Sequence, residues 1–76
     1  MKKSLASVFG EVLKELRNKA GISQETLAYE CELDRSFISM LERGLRMPTI
    51  ETLFKLSKPL KKSPSEIITL VELKAI

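Results

Sequence analysis

Arg35, Ser36, Ser39, Met40 and Arg43 are the residues whose types and spacing offer chemistry beyond packing. In a helix they lie along one side, with the apolar Ile38 and Leu41 on the other. A helix face that is merely solvated more often carries Glu, Lys and Gln, whereas this one combines guanidinium groups with small hydroxyls. The surrounding charge points the same way. Net charge is +3, but the stretch from Arg35 to Lys62 holds seven basic residues against Glu42 and Glu51, a local +5 between flanks of −1 each. A basic middle between slightly acidic ends is the footprint of a face that meets a polyanion. Taken alone, the excess also fits a solvated helical surface. Catalysis has little to draw on: there is no histidine to act as general base, and the single cysteine, Cys31, is read as a small buried filler among apolar neighbours. The same absences remove the usual zinc and haem ligand sets, so no enzyme activity, catalytic residue, metal or cofactor is expected.

A small fold must position these residues. The 76 residues are expected to form one domain spanning 1–76. At this size folding hides only roughly 60% of the surface of the unfolded chain. With no internal disulfide or metal to add stability, a partner subunit is the remaining source. Hydrophobic residues make up 43% and charged residues 30%, the balance of an ordinary folded domain. Met1-Lys2-Lys3 ahead of an apolar stretch resembles the start of a signal peptide, but Glu11, Lys14 and Glu15 interrupt the run. A cytoplasmic protein with no membrane association is therefore expected, and a lone thiol suits that compartment.

Apolar residues recur at three- and four-residue steps throughout, which predicts an all-α fold. Leu5, Val8, Phe9, Val12, Leu13 and Leu16 mark a first helix over 5–19, ended by Ala20-Gly21. Ser23 caps a short second helix reaching Glu30. Asp34, with a carboxylate able to cap the amides of Ser36 and Phe37, opens a third that runs to Arg43 and stops at Gly44. Thr49 caps a fourth helix carrying Ile50, Leu53, Phe54 and Leu56, with Pro59 ending it or bending its last turn. Ser63-Pro64-Ser65-Glu66 is a capping box with proline at the first helical position, and a fifth helix follows to Lys74. Only Cys31-Glu32-Leu33 separates the second helix from the third, too little for an antiparallel hairpin, so the pair reads as a helix-turn-helix with Leu27, Ala28, Cys31, Leu33, Ile38 and Leu41 inward.

Ser-Gln-Glu opens the second helix, Leu-Asp-Arg-Ser-Phe-Ile-Ser the third, Leu-Glu-Arg-Gly closes it, and Pro-Thr-Ile-Glu-Thr-Leu opens the fourth. In this order and spacing the stretch GISQETLAYECELDRSFISMLERGLRMPTIETLFKL resembles the Cro/C1-type (XRE) helix-turn-helix family of phage repressors, and within it the controller proteins of restriction–modification systems. The resemblance implies a five-helix phage-repressor-like bundle and a dimeric transcriptional regulator, a repressor or autoregulator, that binds a pseudo-palindromic DNA operator. It implies that Arg35, Ser36, Ser39 and Met40 face the major groove, Met40 through soft apolar contact of the kind a thymine methyl offers. Ser23, Gln24, Arg43, Arg46 and Thr49 would meet the DNA backbone, with Arg46 alternatively reaching a base edge. Phe37 would lie along the backbone or simply pack against the fourth helix, and Gln24 alone also reads as a plain first-turn polar residue. Arg17 and Glu42 would form an ion pair beneath the recognition helix.

The family's turn position usually holds Gly or Asn; here it is Glu32, for which a left-handed conformation costs roughly 1 kcal/mol. Pro59 and Lys61 stand where similar sequences carry alanine and glycine, which leaves the link between the last two helices open. The fifth helix has more apolar positions than one stripe absorbs, and Ile67, Ile68, Leu70 and Val71 are expected to divide between the core and a homodimer interface. The alternative function is an antitoxin that grips a toxin protein and regulates its own operon.

Overall fold

Four of the helices begin where a side-chain oxygen accepts a first-turn amide. Ser4 Oγ accepts from Ser7 N at 3.1 Å, Ser23 Oγ from Thr26 N at 3.0 Å, Thr49 Oγ1 from Thr52 N at 3.1 Å and Ser63 Oγ from Glu66 N at 3.1 Å. Glu66 Oε1 accepts from Ser63 N at 2.8 Å and completes the capping box. The computed structural model describes residues 3–76. Met1 and Lys2, part of the amino-terminal basic run, lie outside the described residues. Among the described residues are five helices and no strand: α1 (Leu5–Ala20), α2 (Gln24–Cys31), α3 (Arg35–Glu42), α4 (Ile50–Leu60) and α5 (Pro64–Ala75). Asp34 departs from the sequence expectation. It stands at the N-cap of α3, but its carboxylate makes no capping bond, so α3 is held by packing rather than by its start.

Left-handed residues end three of the helices. Glu32 adopts φ 57, ψ 43, with Leu33 N donating to Ala28 O at 2.9 Å, and Lys61 adopts φ 59, ψ 38, with Lys62 N donating to Ser57 O at 3.1 Å. Both are regular helix endings of the kind glycine usually makes, so the two unusual residues leave the turns in ordinary shape. Pro59 lies inside the last turn of α4. A proline there cannot donate to the carbonyl four residues back, Lys55 O. That oxygen instead accepts from the Cys31 thiol at 3.4 Å, a contact from α2 that sequence spacing does not reveal. Burial pushes the Cys31 thiol up to about 11, which keeps the proton this bond uses.

α1 packs on α3, α4 and α5, and α2 on α3 and α4. The core is built from Val8, Phe9, Val12, Leu13 and Leu16 of α1, Leu27 and Ala28 of α2, Ile38 and Leu41 of α3, and Leu53, Leu56 and Leu60 of α4. Three members of the apolar periodicities do not join it. Leu5, Ile50 and Phe54 remain exposed because they sit at helix ends or on the outer side of α4. α5 divides: Ile67 and Val71 are buried in the core of their own chain, which corrects their expected share in a dimer surface. Ile68 and Leu70 stay exposed, as do Leu73 and Ile76.

Candidate nucleic-acid interface

α3 buries Ile38 and Leu41 completely, and Phe37 packs, partly buried, against the same core. That anchoring fixes which side of the helix is left outside. Arg35, Ser36 and Arg43 are exposed, and Ser39 and Met40 are partly so. Arg43 turns back toward its own helix, with Nε 3.4 Å from Ser39 O, a contact loose enough to release. Arg46 lies exposed in the segment between α3 and α4. Phe37 packs against the core and keeps part of its ring exposed on the same helix.

Two glycines allow the carboxyl end of α3 to sit this close to α1. A Cβ added to Gly10 would lie 2.5 Å from Leu41 O and 2.6 Å from Glu42 O, so the helices touch backbone to backbone. Gly44 has φ +76 and would place a Cβ 2.9 Å from Ser7 Cα. The signal for Gly10 in the sequence is slight: an isolated glycine inside a helical pattern, which marks close packing without naming the neighbour.

Beneath α3 lies the Arg17–Glu42 pair. Arg17 Nε donates to Glu42 Oε2 at 2.5 Å and Nη2 to Oε1 at 3.1 Å, the two-pronged geometry a guanidinium suits. Nη1 donates to Ile22 O at 3.0 Å and ties in the turn before α2. The side chains are only 11% and 3% exposed. Hydrogen bonding to Glu42 holds the Arg17 guanidinium above its ordinary range, against the opposing effect of burial. Gln24 Nε2 also donates to Glu42 Oε1, at 2.9 Å. Eighteen residues separate Gln24 from Glu42, and nothing in the local sequence signals the contact.

The expected backbone residues are thus partly occupied within the chain. Ser23 Oγ caps α2 and donates to Thr26 Oγ1 at 3.1 Å, while Thr49 Oγ1 caps α4 and shares a bond with Thr52 Oγ1 at 3.0 Å. What such helix starts still present to an anion are first-turn backbone amides and the positive end of the dipole. Among the described residues no group of three metal-ligating side chains comes together, and no helix is long and apolar enough to cross a membrane.

Comparison with known proteins identifies the family to which this fold belongs. The helix-turn-helix family model HTH_3 matches residues 13–67. Control protein C.BamHI of Bacillus amyloliquefaciens is 36% identical over 69 residues, covering 90% of this chain and 85% of that protein. Control protein C.MunI of Mycoplasma sp is 38% identical over 65 residues, covering 84% of this chain and 88% of that protein. The crystal structure of the restriction-modification controller protein C.AhdI from Aeromonas hydrophila matches with a TM-score of 0.78 at 42% identity, over 82% of this chain and 94% of that one.

Proposed function

The chain belongs to the Cro/C1-type helix-turn-helix family of DNA-binding regulators, and from that premise we propose that it binds a pseudo-palindromic operator as a homodimer and acts as a restriction–modification controller. One observation carries the reading: α3 is locked to the core by Ile38 and Leu41 and presents Arg35 and Ser36, with Ser39 and Met40 beside them, on its outer side. On this reading α3 enters the major groove. Arg35, at the first turn, reads a base edge, where a guanidinium donates twice to guanine O6 and N7. Arg43 and Arg46 neutralise phosphates, and the first turns of α2 and α4 offer amides to the backbone.

Selection of bound sites from random duplexes tests this. The recovered site is expected to hold two half-sites with centres about 34–36 Å apart. Affinity for it should exceed that for random sequence at least about a thousandfold and fall steeply with salt as counterions are released. Binding with neither sequence preference nor salt dependence would reject the proposal. Arg35→Ala is expected to cost about 1–3 kcal/mol and relax preference at one base pair per half-site, whereas Arg43→Ala weakens all sequences alike and lowers the salt slope by about one. A panel of single-base operator variants separates the two effects; identical profiles for both mutants would contradict the division of roles.

The dimer reading is supported by an apolar surface that one chain leaves uncovered. Ile68, Leu70 and Leu73 are exposed on α5. Ile68 also lines a shallow groove of about 160 Å³ with Leu5, Met47 and Ile50. A twofold axis through this side joins two recognition helices on one face of DNA and covers the surplus. Ile68→Asp is expected to weaken dimerisation and operator binding together by at least about tenfold, roughly 1.4 kcal/mol. Sedimentation measures the first and gel shift the second. A folded wild-type monomer at tens of micromolar would refute this interface.

A further inference from the structure

We propose that Glu42, charge-balanced by Arg17, is a positioning residue of the DNA-binding surface, which through Gln24 locks the first turn of α2 to the end of the recognition helix. The inference rests on the reading that DNA meets this face, and it adds to that reading a residue that touches no DNA. The Glu42 carboxylate accepts from Arg17 Nε, Arg17 Nη2 and Gln24 Nε2, and its side chain is 3% exposed. Arg17 also holds Ile22 O in the turn before α2. One buried carboxylate therefore joins α1, the turn, the start of α2 and the end of α3.

The two elements it joins have different tasks. The first turn of α2 offers amides to a phosphate, while α3 reaches base edges; both act on one rigid duplex only if their separation is held to within about 0.5 Å. At the start of α2 the side chains of Ser23 and Gln24 are at the surface or half-buried, and the first buried side chain of the helix is Leu27. A hydrogen bond to a charged acceptor is the stronger kind, and its low exposure protects it from competing water. Arg17 has a second effect here. Without it, Glu42 would place an uncompensated negative charge beside the amides that bind phosphate. With one amide hydrogen committed to Glu42, Gln24 acts chiefly by placing backbone donors and only secondarily as a phosphate ligand itself.

A double-mutant cycle in operator affinity tests the proposal. Gln24→Leu removes the donor, and Glu42→Asp keeps a charge beside Arg17 while withdrawing the carboxylate by one methylene. Each single variant is expected to lose about tenfold in affinity, and the double variant no more than the weaker single one. The salt slope should stay at its wild-type value in all three, because no phosphate-neutralising cation is removed. Additive losses would mean that Gln24 acts independently, as a direct phosphate donor, and would overturn the inference, as would unchanged affinity in both singles. The Gln24 side-chain amide signals in the free protein give a measurement independent of DNA. Protection from exchange that vanishes in Glu42→Asp is expected, and unprotected signals in the wild type would overturn the proposal even if a variant folds poorly. Wild-type protein that binds every duplex alike would instead defeat the operator reading on which it rests.

Discussion

Arg17→Met is expected to remove about 3–5 kcal/mol of stability in urea unfolding, while Arg17→Met combined with Glu42→Leu loses much less. The single change strands a carboxylate whose side chain is 3% exposed and leaves it only the Gln24 amide as a partner. The double change removes the charge together with its neutraliser and substitutes apolar contact. Domains of this size have about 0.05–0.15 kcal/mol of stability per residue, so the single variant gives up much of the total. The damage should spread beyond one pair, because Arg17 also holds Ile22 O and the Glu42 carboxylate holds α2. Operator binding should therefore weaken in Arg17→Met even at temperatures where it remains folded. A coupling energy indistinguishable from zero would show that the pair is incidental to the fold.

Gly10→Ala is expected to destabilise the protein by about 1–3 kcal/mol, or more, although local propensity alone favours the change. Alanine is the better helix former by about 0.8–1.0 kcal/mol in a helix interior. Against that, the new methyl would meet Leu41 O at 2.5 Å and Glu42 O at 2.6 Å. These are backbone atoms and cannot rotate aside, so α1 and the end of α3 must move apart. The clash outweighs the propensity gain, and because the displaced element is α3, the helix proposed to enter the major groove, operator affinity should fall with thermal stability. A Gly10→Ala protein that melts at or above the wild-type temperature and binds DNA normally would show that the close approach is dispensable.

Features that depend on near neighbours in the chain were readable in the residues themselves. The capping box at Ser63 and Glu66 and the caps at Ser23 and Thr49 are contacts across three residues, and each forms as its spacing predicts. The outward side of α3 followed from Ile38 and Leu41, since two fully buried positions on so short a helix leave one face outside. Arg17 and Glu42 were paired only through the resemblance of the chain to a known family; the bidentate geometry and its burial belong to the structure.

Other outcomes depended on where helices distant in sequence came to rest. Ile67 and Ile68 are adjacent and equally apolar, and their chemistry does not tell them apart. The positions of α1 and α4 bury the first and leave the second outside. Asp34 has the right side chain for a cap, yet it makes no such bond, because the approach of α3 is set by its packed face rather than by its first turn. The Cys31 thiol meets the carbonyl that Pro59 leaves free, and Gln24 meets Glu42, across 24 and 18 residues. Local sequence thus determined the helices, the caps at Ser23, Thr49 and Ser63 and the side of α3 that stays outside, because those rest on interactions within a turn or two. The tertiary structure alone decided which apolar face of α5 is covered, how near α1 approaches α3 at Gly10 and which polar groups share the Glu42 carboxylate, because each requires two distant segments to occupy the same few ångströms.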